Sequence, residues 1–257
     1  MSIKRLSLSL LLASLSSSSL LGPKSFIMSS SRVLAYPTGG RLEATKLVAR
    51  YKRFLADVTV PQETTTKDGD VVNADGTIVV HCPNTGPMLS LLPSCREDPL
   101  PCFVSEAKGG TKRKYRYTLE MVQIPSPVNP NVWVGVHSAL ANKIVSEALT
   151  RDLIQDLQGF TSLRKEVKLG DSTIDFELLW EVDGAVHKRV FLEVKSVTLA
   201  QVVGSELRAV FPDCVSERAS RHAACLTTLM RQREAKPKQE DVQAVSHVFL
   251  FEPPFPK

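Results

Sequence analysis

Cysteine is scarce in this sequence and poorly arranged for cross-linking. The five present are Cys82, Cys95, Cys102, Cys214 and Cys225, an odd number with no C-x-x-C pair. That spacing argues against a disulfide framework and against a zinc site, and it predicts reduced thiols. Long hydrophobic runs are missing as well. The apolar stretch at residues 6–15 is short and broken by serine, too short to cross a bilayer as a helix. Acidic residues are absent from residues 1–40, which hold Lys4, Arg5, Lys24 and Arg32. These are four of the 32 basic residues, so from residue 41 onward 28 basic residues face all 27 acidic ones. The pI near 9.0 is therefore largely a property of the N-terminal segment. Any basic surface for nucleic acid must be sought in local clusters, not in the total charge.

What is present is ordinary for a globular protein: 43% hydrophobic and 23% charged residues in a chain of 257. That composition excludes bulk disorder and suits one large domain or two small ones. Residues 1–40 read as a targeting leader or disordered tail. A basic start, a short apolar run and small residues fit a secretory signal; serine runs and scattered bases fit an organelle (plastid or mitochondrion) transit peptide. Met28 offers an alternative start that would leave a cytosolic form. No membrane association is expected of the mature form.

Residues 41–124 are rich in short β signals separated by turns, such as 55–60, 77–82 and 115–122, which predicts a small barrel or sandwich. Three prolines in residues 125–130 mark the boundary to a second unit, 131–257. There Val132–Val136 reads as a buried strand. Residues 140–157 read as a helix with Ser138 as its N-cap, residues 216–232 as a second helix and residues 245–251 as a last strand.

Residues 172–195 carry the clearest chemistry. Ile174, Phe176, Leu178 and Trp180 alternate with polar residues, Asp183-Gly184 suits a type I′ turn, and a second strand runs through Val190, Leu192 and Val194. Asp175 would then lie on one arm, with Glu193 and Lys195 on the next. Two carboxylates and an ammonium suit a hard divalent ion, Mg²⁺ or Mn²⁺, and the water it activates for phosphodiester hydrolysis. The plainer alternative is a solvated hairpin face, and Glu177 is a competing ligand. A basic-aromatic run, Lys112, Arg113, Lys114, Tyr115, Arg116 and Tyr117, would show basic side chains on one face of a strand and one arginine with two aromatics on the other. With Arg50, Lys52 and Arg53 it suits phosphate contact and base stacking, or else a solubilising edge. The Pro/Gly loop after His81 and Cys82 could present backbone N–H groups to a phosphate, or be simply a well-made turn. Arg218, Arg221 and His222 share one side of a helix and could meet a phosphate at the mouth of the hairpin site.

Taken together these pieces resemble the sugar fermentation stimulation protein A family. The resemblance rests on R-Y-K-R-F-L-A-D-V (50–58), H-C-P-N-T-G-P-M (81–88), R-K-Y-R-Y-T-L-E (113–120), A-N-K-I-V-S-E-A-L (141–149), I-D-F (174–176), L-E-V-K-S-V-T-L (192–199) and F-P-D-C-V-S-E-R (211–218), in that order. It implies an α+β protein: an N-terminal OB-like β-barrel followed by an α/β restriction-endonuclease-like domain with a mixed sheet, of the PD-(D/E)xK kind. It implies DNA as partner, single- or double-stranded, and in bacterial members a link to maltose regulation. On this chain Asp175, Glu193 and Lys195 match the nuclease-like core and Glu147 a supporting metal-binding acid. Arg50, Lys52, Arg53 and residues 112–117 would line the nucleic-acid face. The chain departs from the family pattern at Thr173 and Ala219. It also stops soon after its last strand, so the second domain is expected to be truncated at its C-terminal end. The resulting expectation is a DNA-binding protein with a metal-dependent nuclease-like site. The alternatives are a non-catalytic regulatory module in which that site is a relic, and an RNA-directed organelle enzyme.

Overall fold

Period-2 alternation of apolar residues becomes strand through most of the chain, because alternate side chains of a strand share one face. The computed structural model describes residues 7–14, 24–27, 41–61, 70–88, 98–107, 113–124, 132–203, 206–209, 216–235 and 241–252. Lys112, Cys95, Cys214, the proline-rich boundary at 125–130 and the motif start at 211–213 lie outside the described residues.

The N-terminal strands β1 (Ser7–Ser14) and β2 (Lys24–Ile27) pair antiparallel with each other. The next six are β3 (Leu42–Tyr51), β4 (Leu55–Val58), β5 (Ile78–His81), β6 (Leu100–Glu106), β7 (Tyr117–Ile124) and β8 (Val132–Gly135). They form one sheet in the order β5-β4-β3-β6-β7-β8. A parallel bridge, His81 to Thr118, brings β5 onto β7 and closes five strands into a barrel. Leu47, Val58, Val80, Cys82, Val104 and Leu119 fill its interior. Burying a side chain of that size contributes roughly 1.5–3 kcal/mol, so the barrel has its own core. Strand β8, which the sequence assigns to the second unit, pairs with β7 and belongs to the barrel sheet. Its apolar Val134 fits either core, and only the long-range pairing decides between them.

The second unit comprises α1 (Leu140–Thr150), a 3₁₀ turn (Gln155–Leu157), β9 (Ser162–Leu169), β10 (Ser172–Val182), β11 (Ala185–Ser196), the hairpin β12 (Ala200–Val203) and β13 (Glu206–Ala209), α2 (Glu217–Ala235) and β14 (Asp241–Glu252). Its sheet has the order β2-β1-β14-β11-β10-β9, with β11 and β14 parallel and the other pairs antiparallel. It is mixed, as expected. Strand β1, from the segment read as a leader, pairs with β14 from Ser7 opposite Glu252 to Ser14 opposite Val245.

Helix α1 packs Leu140, Ile144, Val145 and Leu149 onto Phe176, Leu178, Val190, Leu192 and Val194. Helix α2 packs Leu226 onto Ile174 and Phe191 on the other face. The first helix is shorter than its apolar pattern predicts. Asp152 adopts φ +50°, the Leu153 N–H bonds the Ala148 carbonyl and the Asp152 N–H bonds that of Leu149, a Schellman stop seven residues early. Ser138 does not cap it. Its hydroxyl donates instead to the Pro83 carbonyl at 2.9 Å, tying the start of the second unit to the barrel loop. Among the described residues, no helix is long and apolar enough to cross a membrane.

Candidate functional site

The Asp183-Gly184 turn forms as its sequence predicts, with φ +53° and +78°, and sets the register Val182 opposite Ala185. From there β10 and β11 run paired to Phe176 opposite Leu192, where their ladder ends. Ile174 packs with the α2 face, whereas Phe176 packs with the α1 face. The alternation is thus interrupted at Asp175, and the opposite residue on β9, Glu166, has φ +53°. The expected single apolar face of Ile174, Phe176, Leu178 and Trp180 is broken there. At that break the Asp175 carboxylate, not a strand carbonyl, receives the Val194 N–H at 2.7 Å.

Asp175 also accepts a 2.7 Å bond from the amide of Asn142, in the first turn of α1. Burial raises its pKa first and the Glu193 carboxylate second; the Val194 N–H, Asn142 and Lys195 pull the other way. Glu193 is 2% exposed. Its Oε1 accepts both the Lys195 ammonium and the Nδ1–H of His222, which α2 delivers from the opposite layer. Its Oε2 is buried without a hydrogen-bond partner. The structure therefore brings together Asp175, Glu193 and Lys195, as the hairpin pattern predicts. It adds Asn142 and His222. His222 was legible as a helix-face residue, but its partner was not; Asn142 carried no signal beyond its place in a matching motif.

Glu147 is not part of this cluster. It forms an ion pair with Arg151 one turn along α1, at 3.2 Å. Five residues separate it from Asn142, and at 100° per residue that places the two on different sides of the helix. Glu177, the competing ligand, is held by Arg189 at 3.0 Å and Arg164 at 3.3 Å. Among the described residues no three His, Cys, Asp or Glu side chains already converge as a metal cage. Two carboxylates, Asp175 half-buried and Glu193 buried with an orphaned oxygen, nevertheless fit a hard divalent cation, which would supply the missing partner.

The basic face needs larger corrections. Residues 114–116 form a bend, and the strand begins only at Tyr117. Tyr117 is 1% exposed inside the barrel, so its ring has no face to offer a base. Arg116 pairs with Glu106 at 2.7 Å and Asp70 at 3.2 Å, which fixes it as an internal brace. Arg50 is a brace too: its guanidinium bonds the carbonyls of Arg53, Asn84, Gly86 and Pro87, holding the Pro/Gly loop. Arg113 and Lys114 are exposed, and Lys114 sits 5.4 Å from the Tyr115 ring. Lys52 and Arg53 form an exposed turn at φ +47° and +60°. Phe54, 46% exposed beside them, adds an aromatic that the alternating basic-aromatic pattern does not include. Arg218 is exposed in the first turn of α2.

The barrel holds a second polar cluster. Glu120, 1% exposed, accepts from the Ser105 hydroxyl at 2.6 Å through Oε1 and from His137 Nδ1 at 2.8 Å through Oε2. Cys82, Cys102 and Cys225 are not joined in disulfides, and burial raises the pKa of Cys82.

Two family models match this chain: the SfsA N-terminal OB domain over residues 48–136, and the sugar fermentation stimulation protein RE domain over residues 139–237. The first range includes β8, in agreement with its pairing. A sugar fermentation stimulation protein homolog of Halorhodospira halophila is 39% identical over 190 residues, covering 74% of this chain and 69% of that one. Another, of Chromohalobacter salexigens, is 38% identical over 181 residues, covering 70% of this chain. The match spans only 61% of that relative's length. The solved structure of Pyrococcus furiosus SfsA in complex with Ca²⁺ superimposes with a TM-score of 0.54 at 17% identity, covering 83% of this chain and 94% of that one. That likeness speaks to the fold. With both halves matched in order and the relatives this similar, the chain belongs to the sugar fermentation stimulation protein family.

Proposed function

We propose that this protein binds DNA and carries a metal-dependent phosphodiesterase site at Asp175, Glu193 and Lys195. The observation that carries the reading is the buried, unpartnered Oε2 of Glu193 beside an Asp175 whose ionisation is opposed by burial and by Glu193 itself. Like charges held together away from water are stabilised by a cation between them. The Pyrococcus furiosus relative was solved with Ca²⁺, which fits the same chemistry. Asp175 and Glu193 would hold Mg²⁺ or Mn²⁺, and the ion would supply Lewis acidity toward a phosphoryl oxygen and toward water. Lys195 would exchange its bond to Glu193 for the attacking water or the phosphate. Asn142 and the Val194 N–H fix the Asp175 carboxylate, and His222 fixes that of Glu193. Lys52, Arg53, Phe54, Arg113 and Lys114, all exposed, with the half-buried Tyr115, supply the basic and aromatic groups for a strand.

The test is incubation of the full chain with labelled single- and double-stranded DNA, with and without Mg²⁺ or Mn²⁺. Cleavage that requires metal and vanishes in Asp175→Ala and Lys195→Ala, with binding retained, supports the enzyme. Binding without cleavage leaves the second reading, a regulatory DNA-binding module. That reading is favoured by the two partners, Lys195 and His222, already on Glu193 Oε1. The leader further suggests delivery to a plastid or mitochondrion, which imaging of a C-terminally tagged full chain tests.

A further inference from the structure

The two donors on Glu193 Oε1 differ in kind. Lys195 comes from the same strand, two residues on, and its side chain is 18% exposed. An ammonium on a flexible stem moves readily to a new partner. His222 is buried and comes from another layer. Helix α2 is fixed around it. At the helix start the Ala219 N–H donates to the Ser216 hydroxyl at 3.2 Å. Cys225, three residues after His222, donates through Sγ to the Leu169 carbonyl at 3.1 Å. Leu226, four residues after it, packs against Ile174 and Phe191. Residues three and four apart share a helix face, so these contacts anchor the side of α2 that carries the imidazole. The imidazole therefore stays in place when the ammonium leaves.

A carboxylate oxygen held by a fixed N–H donor is poorly disposed to bind a cation. The positive end of the donor faces that oxygen. Swinging the carboxylate to present both oxygens would leave a buried imidazole N–H unpaired. Glu193 thus has one oxygen to offer, the buried and unpartnered Oε2. Asp175 is restrained likewise, with Asn142 donating to Oδ1 and the Val194 N–H to Oδ2. Divalent ions differ in how they take such oxygens. Ca²⁺ gathers about six to eight and readily takes both oxygens of one carboxylate. Mg²⁺ demands a near-octahedral shell, keeps several waters and needs few carboxylates, and Mn²⁺ favours the same octahedral oxygen shell.

We propose that His222 is a positioning residue that sets the metal preference of the Asp175–Glu193 site. By holding Glu193 Oε1 it confines that carboxylate to one oxygen toward the ion, which favours Mg²⁺ and Mn²⁺ over Ca²⁺. This rests on the metal-site reading above. Lys195 has no part in the preference, because in that reading it leaves Oε1 for water or phosphate.

The experiment is calorimetric titration of the full chain, without DNA, with MnCl₂ and separately with CaCl₂. The variants are His222→Leu, which removes the donor, His222→Asn, whose amide N–H stands where the Nδ1–H stood, and Lys195→Ala. Wild type should bind Mn²⁺ more tightly than Ca²⁺. His222→Leu should bind Mn²⁺ about tenfold more weakly, the usual loss when a residue that orients a ligand is removed. Its Ca²⁺ affinity should not fall, so the ratio of the Ca²⁺ Kd to the Mn²⁺ Kd drops about tenfold. His222→Asn should return the ratio toward wild type, and Lys195→Ala should leave it unchanged. A histidine with only a structural role would weaken both ions together. A wild type that prefers Ca²⁺, equal losses for both ions, or a ratio that drops as far in Lys195→Ala overturns the role of His222 and leaves the metal site standing. A wild type that binds neither ion overturns both. One measurement needs no variant: in saturating Mg²⁺ the His222 Nδ1–H proton resonance of wild type should persist, protected from exchange. Its loss overturns the proposal even where His222→Leu does not fold.

Discussion

Two buried glutamates, one in each half of the molecule, meet a histidine from later in the chain and yet are finished differently. In the barrel, Glu120 has a partner on each oxygen, Ser105 and His137. In the second sheet, Glu193 takes Lys195 and His222 on one oxygen and leaves the other buried and bare. A buried carboxylate with both oxygens satisfied behaves as a structural pin; one with an orphaned oxygen carries a desolvation penalty that a ligand can remove. The same residue type and the same kind of partner thus mark a joint in one domain and a candidate site in the other.

The largest effect should come from breaking the finished pair. Glu120→Ala leaves Ser105 and His137 without their acceptor and is expected to cost about 3 kcal/mol in urea unfolding. An unaltered midpoint would mean that the barrel glutamate is no pin. Next in size is the response of the unfinished one. Saturating Mn²⁺ should stabilise the wild type by about 2.7 kcal/mol at roughly 100 times Kd, read as a rise in Tm. Glu193→Gln should abolish that rise while changing the metal-free Tm little; a wild type indifferent to Mn²⁺, Mg²⁺ and Ca²⁺ would remove the basis for a metal site.

A smaller effect sharpens the comparison through pH. Asp175 has a folded pKa raised above its usual 3.8. The folded state therefore holds the proton more tightly than the unfolded chain, and stability falls as pH rises from the unfolded toward the folded value. Asp175→Asn removes this loss. It should melt like wild type at low pH and increasingly above it as pH climbs through that window, reaching a plateau. A constant Tm difference across the window would contradict the raised pKa. The smallest stability effect belongs to the exposed turn: Lys52→Gln, Arg53→Gln and Phe54→Ala should each stay within about 0.5 kcal/mol of wild type in unfolding, yet weaken binding to labelled DNA. Undiminished binding would move the nucleic-acid face elsewhere.

Much of the second domain's site was legible because it is local. Asp183-Gly184 dictates a hairpin, the hairpin dictates register, and register brings Asp175 near Glu193 and Lys195. The errors arose where side chains are placed by long-range pairing. Tyr117 and Arg116 look like their exposed neighbours in sequence, but the barrel's closure turns one into core and the other into a brace. Arg50 reads as a phosphate contact until the loop it holds, more than thirty residues away, is seen to take up its donors. Strand β8 has no composition that distinguishes a barrel strand from a strand of the next domain. His137 gave no signal, because its significance lies in Glu120, seventeen residues earlier.

One bond in the second sheet has a practical use. The Val194 amide donates to the Asp175 carboxylate where an ordinary ladder would have offered a carbonyl. A carbonyl acceptor keeps its charge at every pH; this one does not. The Val194 ¹⁵N–¹H resonance should therefore shift as Asp175 gains a proton and shift again when a cation draws on the same carboxylate. Its hydrogen-exchange rate should change with both. A single backbone amide thus serves as a built-in reporter of the site's ionisation and occupancy, readable without substrate and without any substitution in the chain.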